Sequence, residues 1–320
     1  MKEPTYRQTL VHAWEVVWHN KTLWILGLFS VLLGQLGFSD IFGQLWSVSD
    51  IVTGGAAILL PGINLNWSGD IWNVLGIVWL VGICLSILVL LVFLAVTSQG
   101  ALISYAAQWF KTKTHQKLSK PWGHGLKHFW SIFFINILRK VLLVLLLAVF
   151  GLALRYFLYS QTLPQGWLFA FSLVLVLFIS LFISIISIYT LCALVVDGKG
   201  IKSAIKKSWA IFSRHMLVSL EVGILLMLLN FLLAVVILAG AFVAFLPAML
   251  IWIAAGITNT VVLAAIGFSL GVFLLLVFIV LVAGFFNAYT TSAWVFLFMK
   301  MHKEGISSRT IHLFKHLFGK

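Results

Sequence analysis

The stretch from Val74 to Val96, VLGIVWLVGICLSILVLLVFLAV, carries no charged residue, and its reading decides the fold class. A helix rising 1.5 Å per residue needs roughly 20 apolar residues to cross about 30 Å of hydrocarbon, and this run exceeds that length. A second uncharged run, LVLVLFISLFISIISIYTLCALVV, extends from Leu173 to Val196. Neither run shows the strict in-out alternation of a lipid-facing β-strand, so both read as membrane-crossing helices. The whole chain agrees: 62% of its 320 residues are hydrophobic, with 14 Trp and 27 Phe, too much apolar surface for a soluble domain to bury.

A net charge of +13 raises the question of nucleic acid, but the placement of the charges answers it differently. No Lys or Arg lies between Lys21 and Lys111, whereas Asp40, Asp50 and Asp70 all fall there. Basic residues gather instead at Lys111 to Lys127, at Lys199 to Arg214 and after Lys300, each time beside an apolar run. That is the positive-inside pattern, which marks these clusters as cytoplasmic and leaves nucleic acid unsupported as a partner. Cys84 and Cys192 sit within apolar runs, without a CxxC spacing or a neighbouring His, so neither a disulfide framework nor a zinc site is expected.

Six spans follow, over about 22–38, 71–108, 138–160, 167–196, 216–246 and 261–299, with both termini cytoplasmic. The outer connections are 39–70, a short turn near SQTLPQGW, and LPAMLIWIAAGITN. Several spans exceed the membrane thickness and are expected to tilt, bend near Gly76, Gly267 or Gly284, or protrude. Before the first, third and fifth spans lies a short segment with apolar residues at helical spacing and a basic opposite face. In the first these are Tyr6, Leu10, Ala13, Trp14, Val17 and Trp18; in the second Trp122, Leu126, Phe129, Trp130 and Phe133; in the third Ile201, Ala204, Ile205, Trp209 and Phe212.

The even spans close on related steps: TSQGALI from Thr97, YTLCALV from Tyr189 and YTTSAWV from Tyr289. Small residues there let helix backbones approach closely. The expected architecture is an all-α integral membrane protein, one polytopic domain over 1–320. Its six transmembrane helices form three pseudo-repeats of interfacial amphipathic helix plus helical hairpin, about 1–110, 111–196 and 197–300. A further basic amphipathic helix is expected over 306–319.

The segment DGKGIKSAIKKSWAIFSRH, Asp197 to His215, is the clearest interfacial helix. Asp197 is placed to cap it, Gly198 and Gly200 let the chain turn, and Lys199, Lys202, Lys206 and Lys207 face headgroups while Trp209 and Phe212 enter the boundary. The pattern of Asp197, Ile201, Ala204, Ile205, Ser208, Trp209 and Phe212 resembles the recurrent segment of a broad group of bacterial six-span inner-membrane proteins, the membrane domain found beside glycerophosphoryl diester phosphodiesterases. The resemblance implies a helical module of the bacterial cytoplasmic membrane. The family's hydrolase activity belongs to a separate soluble barrel, so no catalytic residue carries over.

Enzyme chemistry needs converging titratable groups, and only Glu221 of eight acidic residues falls within an expected span. The pairs His124 with His128 and His312 with His316 have metal-like i, i+4 spacing but no accompanying carboxylate or thiol. No metal, cofactor or enzymatic activity is expected. Glu221 is costly inside a span and calls for a partner, Arg139 or Lys140. Asn136, Asn230, Asn287 and Gln99, with Tyr289, complete a thin intramembrane polar set. The expected function is non-enzymatic: organising or sensing the cytoplasmic leaflet through anionic lipid headgroups, or supporting a membrane-protein partner. The alternative is a small-solute or lipid permease with a central cavity reaching Asn230 and Asn287.

Overall fold

The structure is a computed structural model that describes residues 5–31, 71–113, 118–160, 163–258 and 260–303. The expected features at 32–70, His312, His316 and the helix 306–319 lie outside the described residues. Every element among the described residues is a helix. In chain order they are α1 (Thr5–His19), α2 (Thr22–Val31), α3 (Ile71–Thr112), α4 (Ser119–Lys127), α5 (Phe129–Ser160), α6 (Leu163–Asp197), α7 (Ile201–Arg214), α8 (Met216–Thr258) and α9 (Val261–Lys303). Five of these, α3, α5, α6, α8 and α9, are long and apolar enough to cross a membrane, while α2 is a shorter apolar helix.

Two boundaries depart from the sequence reading. α5 begins at Phe129 and not near 138, so Phe129, Trp130 and Phe133 belong to the long helix and α4 is a short piece before it. Only His128 separates the two, and its backbone N–H still donates to the His124 carbonyl at 3.3 Å while Ile132 donates to the His128 carbonyl at 3.0 Å. The chain thus turns a corner with almost no loss of backbone bonding. His215 makes a similar corner between α7 and α8, donating to the Ile211 and Phe212 carbonyls at 3.1 and 3.2 Å.

At the other end α8 continues through Pro247 to Thr258, which converts the expected connection LPAMLIWIAAGITN into helix. A proline removes one backbone bond, but apolar residues on both sides of it leave nothing else for the neighbouring backbone groups to pair with in lipid. α8 and α9 are each 43 residues, which at 1.5 Å per residue gives about 64 Å, roughly twice the hydrocarbon thickness. α9 remains one helix through Gly267 and Gly284, and those glycines serve as contact points. A methyl at Gly284 would stand 2.6 Å from the Trp24 carbonyl oxygen, and one at Gly27 would stand 2.1 Å from that of Gly284, so α2 and α9 cross backbone to backbone.

The core lies toward one end of the long helices. Its buried residues run from Ala95 to Trp109 on α3, Ile185 to Val195 on α6 and Phe286 to Met301 on α9. These three helices touch one another, and each amphipathic helix packs on one of them: α4 on α3, α7 on α6 and α1 on α9. The basic residues Lys111, Lys127, Lys202, Lys206 and Arg214 mark the same end. Toward the far end α5 pairs with α6 and α8 with α9, whereas the described side chains of α3 from Leu75 to Leu91 are all exposed.

A second backbone-to-backbone junction joins α3 and α4. A methyl on Gly125 would meet the Thr97 carbonyl oxygen at 2.4 Å and the Ala101 nitrogen at 3.0 Å, and one on Gly100 would meet the Gly125 Cα at 2.8 Å. The small residues Ala13 of α1 and Ala204 of α7 are likewise fully buried.

Candidate functional site: interhelix polar ties and a basic helix face

The closing steps of α3, α6 and α9 each carry or adjoin a polar side chain tied to a helix of another hairpin. Asn136 Nδ2 on α5 donates to Gln99 Oε1 on α3 at 2.6 Å and to the Ile132 carbonyl at 2.9 Å. Tyr189 OH on α6 donates to Ser219 Oγ on α8 at 2.9 Å. Asn287 Nδ2 on α9 donates to the Gly27 carbonyl on α2 at 2.8 Å and to Ser30 Oγ. All six side chains in these pairs, Gln99, Asn136, Tyr189, Ser219, Asn287 and Ser30, are buried. In a region where water cannot compensate, each tie fixes the rotation of one helix against another more firmly than apolar packing would.

A second layer of ties holds α1. Tyr105 OH donates to Asn20 Oδ1 at 2.7 Å, and Asn20 Nδ2 donates to the Val16 carbonyl at 2.7 Å, closing the end of α1. Lys300 Nζ donates to Gln8 Oε1, and Trp24 Nε1 donates to the Val17 carbonyl at 3.0 Å. Around Trp14 the rings of Trp18, Phe285 and Tyr289 lie at 5.4, 5.4 and 6.3 Å.

Within the polar layer a few atoms stay unsatisfied: Gln99 Nε2, Asn136 Oδ1 and the hydroxyls of Ser98, Ser184 and Ser292. Asn230 lies farther along α8 and turns its amide back onto its own helix, at 2.9 Å from the Leu226 carbonyl. Of the neighbouring pair Arg139 and Lys140, Arg139 is 3% exposed and Lys140 is open to the surroundings. Glu221 is half-buried near the start of α8. The structure therefore brings Gln99 to Asn136, and Asn287 to α2, while Asn230 and Lys140 stand apart from them.

The basic segment reads differently in three dimensions. Asp197 does not cap α7. Gly200 holds the cap position in extended backbone with no side-chain bond, and Asp197 is the last residue of α6. Gly198 adopts φ +65°, the left-handed turn for which glycine is suited. Asp197 Oδ2 instead accepts from Lys207 Nζ at 2.6 Å, with both side chains largely buried. Lys207 thereby leaves the expected headgroup set and lies 5.8 Å over the ring of Phe298. Phe212 also turns inward, packing edge-on against Phe182 at 5.2 Å.

What remains outside on and beside α7 is Lys199, Lys202, Lys206 and Trp209, the last 58% exposed. Helical spacing puts Lys202, Lys206 and Trp209 on one side, opposite buried Ala204, Ser208 and Ile211. A tryptophan open to its surroundings between lysines is the side-chain pair favoured at a membrane–water boundary. Trp130, at the start of α5, is similarly exposed.

Among the described residues no three His, Cys, Asp or Glu side chains gather at His124 and His128 or elsewhere. The His128 imidazole is held below its usual pKa, first by burial and then by the charges of Lys127 and His124, so it is neutral at pH 7. Sequence reasoning missed Ser30, Ser219 and the Tyr105–Asn20 bond. A lone serine in a greasy run has no signature, although polar residues recurring on the core-facing side of a span are a usable signal.

Compared with protein-family models, curated proteins and solved structures, the chain matches none. The fold and its polar layer define an all-helical protein built for a membrane.

Proposed function

We propose that this chain is a non-enzymatic, six-span protein of the bacterial cytoplasmic membrane whose basic end, on the cytoplasmic side, engages anionic lipid headgroups. In this reading it is three pseudo-repeats arranged in a ring. The support for the ring is the order of contacts: the amphipathic helix of each unit rests on the second long helix of the unit before it, α4 on α3, α7 on α6 and α1 on α9. The buried ties follow the same order, from Gln99 to Asn136, from Tyr189 to Ser219 and from Asn287 to Ser30. The resemblance of the α7 segment to the membrane domain found beside glycerophosphoryl diester phosphodiesterases fits this assignment.

The observation that carries the headgroup reading is the outward side of α7, where Lys202, Lys206 and Trp209 project together and no described carboxylate pairs with them. It organises or senses the leaflet, or presents the lipid-bound face to a membrane partner. The permease alternative draws less support, because the Asn287 amide is committed to α2 and that of Asn230 to its own helix.

The test is native mass spectrometry of the purified protein with mixed phosphatidylglycerol and phosphatidylcholine. At about 1 kcal/mol per lysine near an anionic surface, neutralising Lys199, Lys202 and Lys206 together weakens phosphatidylglycerol retention by roughly 100-fold. Lys207→Gln leaves that retention in place. Equal retention by the triple variant and the native protein refutes the headgroup reading.

A further inference from the structure

The interior of the protein holds a buried base. Among the described residues Arg139 is the only Lys or Arg that is almost wholly enclosed, at 3% exposure. A guanidinium removed from water without a counter-charge is strongly destabilising, more so in a hydrocarbon setting. The described carboxylates are Glu15, Asp197 and Glu221. Glu15 lies beside His12 at 3.4 Å, on α1, and Asp197 is taken by Lys207. By elimination the carboxylate that remains is Glu221.

The depths of the two residues agree. α5 and α6 form an antiparallel hairpin, with Phe169 of α6 between Phe150 and Phe157 of α5 at 5.4 and 5.2 Å. α5 ends at Ser160 and α6 begins at Leu163, so Arg139, 21 residues before the one, is level with Ser184, 21 residues after the other. On α8, Ser219 is bonded to Tyr189, and a methyl on Gly223 would lie 3.2 Å from Ile185 Cδ1 and 3.5 Å from Leu181 Cδ1. In height along the bundle Glu221 falls between these contacts, level with the part of α6 that lies opposite Arg139. Both α5 and α8 pack on α6. Lys140, the rival partner, is exposed on another side of α5.

We propose that Arg139 and Glu221 form an interhelix ion pair that bridges α5 and α8 beside α6 and locks the second hairpin to the third. The pair stands next to the Gln99–Asn136 tie, since Asn136 and Arg139 are one turn apart on α5, so a single polar layer joins three hairpins. The proposal is independent of headgroup binding, and it assigns Arg139 and Glu221 a positioning role.

A double-mutant cycle on the full-length protein in detergent tests it. Glu221→Leu and Arg139→Met each lower the melting temperature by about 5 °C or more, because each strands a charge. The double variant Arg139→Met with Glu221→Leu recovers most of that loss, as apolar replacement of a whole buried pair does. Lys140→Gln shifts the melt little. If the two single losses add in the double variant, the pair does not exist. Should Arg139→Met fail to fold, infrared difference spectra between the native protein and Glu221→Gln decide instead. An ionised carboxylate band at neutral pH supports the pair, and a protonated carboxyl band overturns it.

Discussion

Two glycines of α4, two residues apart, respond in opposite senses to the same substitution. At Gly123 an added methyl has no atom within 4 Å, so Gly123→Ala meets open space and gains the helix-forming advantage of alanine, about 0.5 to 1 kcal/mol. At Gly125 the methyl would stand 2.4 Å from the Thr97 carbonyl oxygen. An ordinary contact needs roughly 1 Å more, and the obstacle is backbone, which no rotamer change removes. Either α4 lifts away from α3 or the helices separate locally, a cost of about 1 to 3 kcal/mol that outweighs the propensity gain. Tryptophan-fluorescence melts of the two variants in the same detergent are the assay. Gly123→Ala raises the melting temperature slightly, and Gly125→Ala lowers it by several degrees. Equal stabilisation by both would refute the close crossing of α4 over Gly100, and with it the register of the second amphipathic helix.

Other expectations follow from the polar layer and the corner residues. Asn287→Leu removes the two bonds from α9 to α2 while Ser30 Oγ keeps its bond to the Gly27 carbonyl, and it destabilises by about 1 to 2 kcal/mol, read from the same melts. His128 has a folded-state pKa below its unfolded value of 6.5, so the unfolded chain binds the proton more tightly. Its contribution to stability is complete above about pH 6.5 and is lost as pH falls through the lowered folded value. The drop in melting temperature between pH 7.5 and 5.5 is therefore smaller in His128→Gln than in the native protein, and an identical drop removes His128 from the account. Neutralising the outward lysines of α7 weakens lipid retention, and the Arg139–Glu221 cycle shows coupling, as set out above.

Length and apolar content were enough to read the long helices, because a backbone in hydrocarbon must bond within its own helix whatever its neighbours do. The small residues Gly100, Cys192 and Ser292 with the alanines after them were legible as contact points, and all six are buried in the core. The first-unit segment and α7 were legible as amphipathic helices from their spacing. Helix ends were less so: the proline at 247 looked like a stop, and the residue at 128 like part of a longer surface helix. Both depended on whether the adjacent backbone could find another partner.

What the sequence by itself determined is that the chain is helical, that it belongs in a bilayer, and that its positive charge gathers at one end. These are properties of local composition against a solvent. The tertiary structure decided which charge meets which. Lys207 looked like any other lysine of a basic stripe until the turn at Gly198 brought Asp197 within 2.6 Å of it. It also decided that the apolar sides of α1, α4 and α7 spend themselves on α9, α3 and α6, leaving tryptophans and lysines outside. Spacing along one helix shows that a face is apolar, and only the positions of the other helices show what covers it.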